Sequence, residues 1–329
     1  MTHIERYIDY IRNIRRFSPR TVKIYSDVLD SYVHHALKEG ETSDQALIES
    51  LNLSELRAYQ MELLDARKMS PRTVCQHMSA LSGFCRYLIK EGVINSNPVA
   101  LIPKPKTEKR LPHYYRKDAM EDYFKETEIY TSRERLDCFA LSPESKEGKK
   151  SYQARLARMI ISLLHGLGIR RSELISLNIG SIDFGRKVAK VHGKGDKMRE
   201  IPLFEALIQE ISLYLESVEV MTGGKRSLTE PLLVTYTGNR LYPAYVDRTV
   251  KSELGSRKGI SGRRSPHVLR HTLATELMNE GAGLQTIKEM LGHSSLAATQ
   301  VYTHNSIARL KDIYKRSHPR AKNGGKHGD

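Results

Sequence analysis

With 329 residues, 39% of them hydrophobic and 28% charged, the chain is long enough for two domains with real cores, and its composition excludes an intrinsically disordered protein. Its 53 Lys and Arg against 38 Asp and Glu leave a formal charge of +15 and a pI near 9.6, a surplus that suits a polyanion such as nucleic acid or serves solubility alone. Cys75, Cys85 and Cys138 lack the spacing of a disulfide framework or a thiolate zinc site, residues 1–18 hold no signal-peptide core, and the apolar run Met159–Ile169 is interrupted by Ser162, His165 and two glycines, so a reducing, cytoplasmic setting without a membrane span is expected.

The first hundred residues predict helices. One start signal occurs twice, Ser18-Pro19-Arg20-Thr21-Val22 and Ser70-Pro71-Arg72-Thr73-Val74, in which serine caps a helix and proline fits its first turn. Val22, Tyr25, Val28, Leu29, Tyr32 and Val33 follow the first; Val74, His77, Met78, Leu81, Phe84, Cys85 and Leu88 follow the second, both at helical spacing. A four- or five-helix domain over 1–97 is expected. Pro98, Pro103, Pro105 and Pro112, interleaved with Lys104, Lys106, Lys109 and Arg110, then predict an extended basic linker over 98–115, either a solvated hinge or a strap along a phosphate backbone.

The remainder, 116–321, predicts a second, mainly helical domain with an inserted sheet. A helix near Lys117 is followed by a charged stretch, Thr131 to Lys150, with Ser142-Pro143 and Gly148 as breakers. Ser151 to Leu167 predicts a buried helix. Ile179 to Leu203 switches to strand patterning, with turns at Asp183-Phe184-Gly185-Arg186 and Gly193-Lys194-Gly195-Asp196. Helical signals return at Leu203–Val220, at Ala244–Leu254 and from Ser265 onward, and residues 322–329 predict a disordered tail.

Several chemistries lack their motifs. The Gly193 turn has no third glycine of a dinucleotide fingerprint, no Gly-Lys pair precedes Ser or Thr as in a Walker loop, and no H-E-x-x-H helix occurs. His267 and Arg270 lie three apart on the first turn of a predicted helix, where an imidazole and a guanidinium at the positive end of the helix dipole could hold a phosphate. Such a spacing also arises by chance. His293, at a helix junction, and Tyr302, on a short helix, would ordinarily be structural.

Together, Gly168-Ile169-Arg170-Arg171-Ser172-Glu173-Leu174, the Gly193-Lys194-Gly195 turn, His267-x-x-Arg270-His271, Leu291-Gly292-His293 and Tyr302 stand in an order that resembles the tyrosine recombinases, the phage integrase family. The ending His318-Pro319-Arg320-Ala321 resembles the Xer branch, which resolves chromosome dimers, although the 131–150 stretch is longer than in simple Xer proteins and is expected to be a surface elaboration. The resemblance covers essentially the whole chain. It implies a mainly α protein with a helical core-binding (SAM-like) N-terminal domain and an α+β catalytic domain carrying a small antiparallel sheet, closing as a C-shaped clamp on DNA.

The same resemblance implies a site-specific recombinase that cuts and rejoins DNA through a 3′-phosphotyrosine, without ATP or metal and with no cofactor. Tyr302 would be the nucleophile, Arg170 and Arg270 would neutralise the phosphate, Lys194 would protonate the leaving oxygen, His267 would be the acid/base partner of Tyr302, and His293 would donate to the phosphate. Glu173, one turn from Arg170, would orient it. Arg72, Arg248 and Lys251 are candidate DNA-reading residues. Implied partners are double-stranded DNA with paired inverted half-sites, and a ring of four recombinases on two sites, identical or mixed with a second recombinase, associated with the nucleoid. Dimer resolution, element integration and inversion share this residue set, and a type IB topoisomerase or a non-catalytic DNA-binding regulator are the alternatives.

Overall fold

A computed structural model describes residues 1–37, 43–106, 113–193, 197–255, 257 and 259–292. The chain divides into two compact units, Met1–Arg110 and Leu111–Asp329. The described residues are mainly helical, with one small sheet, and no helix among them is long and apolar enough to cross a membrane.

The first unit contains α1 (His3–Asp9), α2 (Pro19–Ala36), α3 (Asp44–Ser50), α4 (Leu53–Asp65) and α5 (Pro71–Lys90), with a π turn at Tyr10–Ile14 extending α1. The repeated pentapeptide builds the same cap twice: Ser18 Oγ accepts from the Thr21 N–H and Ser70 Oγ from the Thr73 N–H, each at 3.2 Å, with a proline in each first turn. The predicted stripes face one core, in which Leu29 and Tyr32 on α2 meet Leu81, Phe84 and Leu88 on α5.

The segment predicted as a linker is less extended than its prolines suggest. Pro98–Leu101 forms a 3-10 turn whose Val99, with Ile102 beyond it, enters the first core, and Gln60 Nε2 donates to the Pro103 carbonyl at 3.0 Å. At the other end, Tyr115 is buried in the second unit, where its N–H donates to Thr272 Oγ1 at 2.9 Å. Apolar residues between the prolines are enough to fold both ends.

The second unit is arranged around α8 (Lys146–Leu167), which is buried at every position from Arg155 to Leu167. An all-round buried helix needs partners on each side. α6 (Lys117–Glu126), α7 (Arg133–Leu141), α9 (Arg171–Ser176), α10 (Glu205–Thr222), α11 (Pro243–Gly255), α12 (Pro266–Asn279) and α13 (Leu284–Leu291) complete the unit. Two charges inside this packing are paired: Arg158 Nε meets Glu210 Oε1 at 3.0 Å, and Ser162 Oγ donates to the same oxygen at 2.9 Å.

The 131–150 stretch folds as α7, with Leu136 and Phe139 turned into the core. Gly148 breaks nothing. It lies in the first turn of α8, where Ser145 Oγ accepts its N–H at 2.9 Å, and a Cβ there would stand 2.4 Å from the Ser142 carbonyl oxygen. Glycine permits the close approach rather than the end of a helix.

β1 (Ile182–Asp183), β2 (Val188–His192) and β3 (Met198–Pro202) form the predicted antiparallel sheet, with Ala189 opposite Ile201 and Val191 opposite Arg199. These four residues are buried, so β3 turns an arginine inward at the phase of Ile201.

α8 ends at Gly168, whose φ of +59° is left-handed, and a Cβ at that position would lie 2.6 Å from Leu291 Cδ2 and 2.9 Å from Leu273 Cδ2. Gly168→Ala should therefore cost about 2 kcal/mol or more through αL strain and overpacking. Gly224→Ala, at a glycine with open space and ordinary φ, should change stability by less than about 1 kcal/mol. Urea unfolding of the two variants checks the contrast, and equal midpoints would contradict the tight turn.

Candidate active site

The turn after Gly168 places Arg170 at the N-cap of α9, three residues before Glu173. Glu173 bends back to Arg170: its carboxylate accepts the Arg170 backbone N–H at 2.8 Å and Arg170 Nη1 at 2.7 Å. A second guanidinium reaches the same carboxylate from the sheet, with Arg199 Nη1 and Nη2 donating to its two oxygens at 3.1 and 2.7 Å. This is a bidentate pair between residues only 9% and 4% exposed.

The third guanidinium belongs to Arg270, the fifth residue of α12 and 7% exposed. Its Nη1 donates to the Gly168 carbonyl at 2.7 Å and its Nη2 to the Leu291 carbonyl. The end of α13 binds the other two as well: Arg199 Nε donates to the Met290 carbonyl at 2.8 Å, and Arg170 Nη2 to the Gly292 carbonyl at 3.0 Å. Three successive carbonyls at the negative end of a helix thus receive three guanidiniums, the arrangement that the helix dipole favours. Gly292 makes the turn possible with a φ of +66°.

Three arginines and one carboxylate leave this cluster with two uncompensated positive charges. Burial and then the charge of Arg170 lower the Arg270 pKa to about 10, so the group stays protonated at neutral pH. Burial pushes the Glu173 carboxyl up, but the hydrogen bonds and charge of Arg199, followed by the bonds from Arg170, outweigh it and hold the group ionised below its ordinary range. His267, exposed and three residues before Arg270, is held below the usual imidazole value by desolvation and by Arg171, Arg270, Arg263 and His271. It is a neutral imidazole at pH 7, able to accept a proton.

Of the residues singled out in the sequence, Arg170, Glu173 and Arg270 are drawn together, with His267 on the same helical turn as Arg270. Lys194, His293 and Tyr302 lie outside the described residues. The described residues next to Lys194 and His293 border the cluster: Gly193 donates its N–H to the Lys197 carbonyl at 2.8 Å, and a Cβ on it would stand 3.4 Å from Arg199 Nη1; Gly292 accepts from Arg170. Arg248 is exposed on α11, with its Nη2 donating to Tyr242 Oη at 2.7 Å, and Lys251 is exposed one turn on. An ion pair between Arg171 and Asp247 ties that helix to α9. Arg72 is exposed in the first unit, in the first turn of α5.

Sequence reasoning missed Arg199. Its signal was the strand alternation itself, which sets a basic residue in phase with Ile201 on the side that must be buried.

Residues 140–309 match the model of the phage integrase family, and residues 4–92 match that of the phage integrase N-terminal SAM-like domain. The chain belongs to the phage integrase family and is a tyrosine recombinase, an enzyme of site-specific DNA recombination. It is 32% identical to tyrosine recombinase XerC of Chlorobaculum parvum, over 97% of this chain and 94% of that protein. With tyrosine recombinase XerC of Anoxybacillus flavithermus it shares 30% identity, over 96% of this chain and 97% of the relative. The fold is also that of the Tn1549 transposon integrase in complex with transposon right end DNA, with a TM-score of 0.61 at 20% identity and 95% coverage of both chains.

His267 gives a direct check on the electrostatics. In the DNA-free protein its ring, followed by NMR, should titrate below 6.5, and a short duplex should raise that midpoint because a phosphate opposes the arginine charge. A midpoint above the ordinary value without DNA would contradict the cationic surroundings.

Proposed function

We propose that Tyr302 attacks a DNA phosphodiester held by Arg170 and Arg270, forming a 3′-phosphotyrosine and releasing a 5′-hydroxyl. The observation that carries this reading is the surplus of two positive charges in a cluster whose Glu173, Arg199 and Arg270 are buried and whose carboxylate stays ionised. A phosphate in transfer concentrates negative charge on its nonbridging oxygens, and guanidiniums meet such oxygens with paired hydrogen bonds. Arg170 and Arg270 each spend two of five donors on the described fold, and the rest of each fork suits a phosphate.

In this reading His267 takes the Tyr302 proton as the Oη–P bond forms, and Lys194 gives a proton to the departing O5′. His293 donates to a nonbridging oxygen. A 5′-hydroxyl of a second duplex then attacks the phosphotyrosine, giving the proton back along the same route. One phosphoester bond forms for each one broken, so the exchange conserves bond energy and needs no ATP.

The DNA would be a duplex with paired inverted half-sites, contacted by Arg72 on α5 and by Arg248 and Lys251 on α11, with phosphate contacts supplying most of the affinity. Four subunits on two sites, identical or mixed with a second recombinase, would perform the exchange. Similarity to a lambda integrase tetramer bound to a Holliday junction supports that assembly, with a TM-score of 0.57 at 19% identity. The XerC relatives favour a Xer-type role.

The decisive experiment uses a nicked duplex in which the released strand diffuses away. Tyr302→Phe should bind this DNA as the wild type does and form no covalent adduct; wild-type amounts of adduct would overturn the assignment. Lys194→Ala should be slowed about a hundredfold or more on ordinary DNA, as for loss of a general acid. It should approach the wild-type rate when the bridging 5′-oxygen is sulfur, because a thiolate leaves without a proton.

A separate outcome concerns assembly. Ile307, Leu310, Ile313 and Tyr314 have the spacing of one apolar helical face, and a helix this short must bury such a face to be stable. If a neighbouring subunit buries it, deletion of residues 307–329 should spare single-site binding and abolish synapsis and strand exchange. A truncated protein that recombines at the full rate would show the segment to be dispensable.

A further inference from the structure

We infer that Arg199 is a positioning residue for DNA cleavage: by neutralising Glu173 it keeps the charge of Arg170 available to the scissile phosphate. The inference rests on the reading of Arg170 and Arg270 as phosphate ligands.

Geometry first shows that Arg199 is built for one arrangement. Its Nε donates to the Met290 carbonyl while its two Nη groups take separate oxygens of Glu173, three bonds that fix the whole fork. A lysine ammonium at the end of a flexible stem could not hold the same three acceptors. Gly193 lies against the pair, since a Cβ there would be 3.4 Å from Arg199 Nη1 and 3.8 Å from Glu173 Oε1, so the turn that continues into Lys194 begins beside it.

Charge then decides what the arrangement does. If Glu173 faced Arg170 alone, a buried carboxylate and a guanidinium would cancel one another, and Arg170 would be drawn onto both oxygens. Arg199 already supplies a bidentate partner, so Arg170 gives Glu173 one side-chain bond and the cluster retains two positive charges rather than one. Glu173 thus becomes a bracket that orients Arg170 without consuming its charge.

The test measures single-turnover cleavage of the nicked duplex by full-length protein, on the normal phosphodiester and on a methylphosphonate, in which a methyl group replaces one nonbridging oxygen and removes the negative charge. Arg199→Met should bind DNA as the wild type does and cleave the phosphodiester about ten- to a hundredfold more slowly, the range for outer partners that orient a reacting group. On the methylphosphonate its deficit should largely vanish. Adding Glu173→Gln to Arg199→Met restores the two-charge surplus and should recover part of the lost rate on the phosphodiester, whereas a purely structural role predicts no recovery. Should Arg199→Met melt below the assay temperature, Arg199→Gln allows the same substrate comparison, because it removes the charge and keeps an amide donor for the Glu173 carboxylate. An equal deficit on both substrates, unrelieved by Glu173→Gln, would overturn the inference. Arg170→Ala separates the two levels: if its own deficit persists undiminished on the methylphosphonate, the reading of the site fails, and if only the Arg199 variants persist, the role of Arg199 fails.

Discussion

Three guanidiniums gathered around one carboxylate at the end of a helix are the constraint on which the second unit's organisation depends. Desolvating each charge costs on the order of several kcal/mol, and acceptors in good geometry offset that cost. Glu173 supplies two oxygens, and the carbonyls of Gly168, Met290, Leu291 and Gly292 supply four more. Because the acceptors belong to the end of α8, α9 and the end of α13, and the donors to α9, β3 and α12, these elements must be in register together.

Two glycines make that register possible. Gly168 and Gly292 both adopt left-handed φ at the ends of helices, and both expose a carbonyl that an arginine takes. The hydrogen bonds that cap the helices are therefore the same bonds that hold the site, so loss of a cap and loss of function should be hard to separate at these positions. Arg199 is different, because its partner Glu173 is a charge and can be altered independently.

Much of this was legible in the sequence. The twice-used Ser-Pro-Arg-Thr-Val start, the strand alternation around the Gly193 turn and the stripes of α2 and α5 are local signals, and local signals report local structure. Arg170, Glu173 and Arg270 could be named from the ordered motifs they share with tyrosine recombinases. Their bonds to Leu291 and Gly292 could not, since 21 and 122 residues separate the partners. Gly148 was misread because a glycine needed for close backbone approach and a glycine that ends a helix are the same letter, and the two ends of the basic linker were misread because four prolines outweighed Val99, Ile102 and Tyr115. Arg199 stood in plain view as an inward-phased arginine, but its meaning required the carboxylate that lies 26 positions away.

A positive surplus without its anion is destabilising, because like charges 2⁺ in sum are held in a partly desolvated place. Burial and the neighbouring guanidiniums already act against the charged form of Arg270. Any anion of the right shape relieves that repulsion, and by linkage its binding must stabilise the folded unit as much as the fold favours its binding. The same surplus favours a bound anion, as the proposed reading of Arg170 and Arg270 as phosphate ligands requires. Preorganised charge, rather than a movable part, is what the described structure supplies to the reaction.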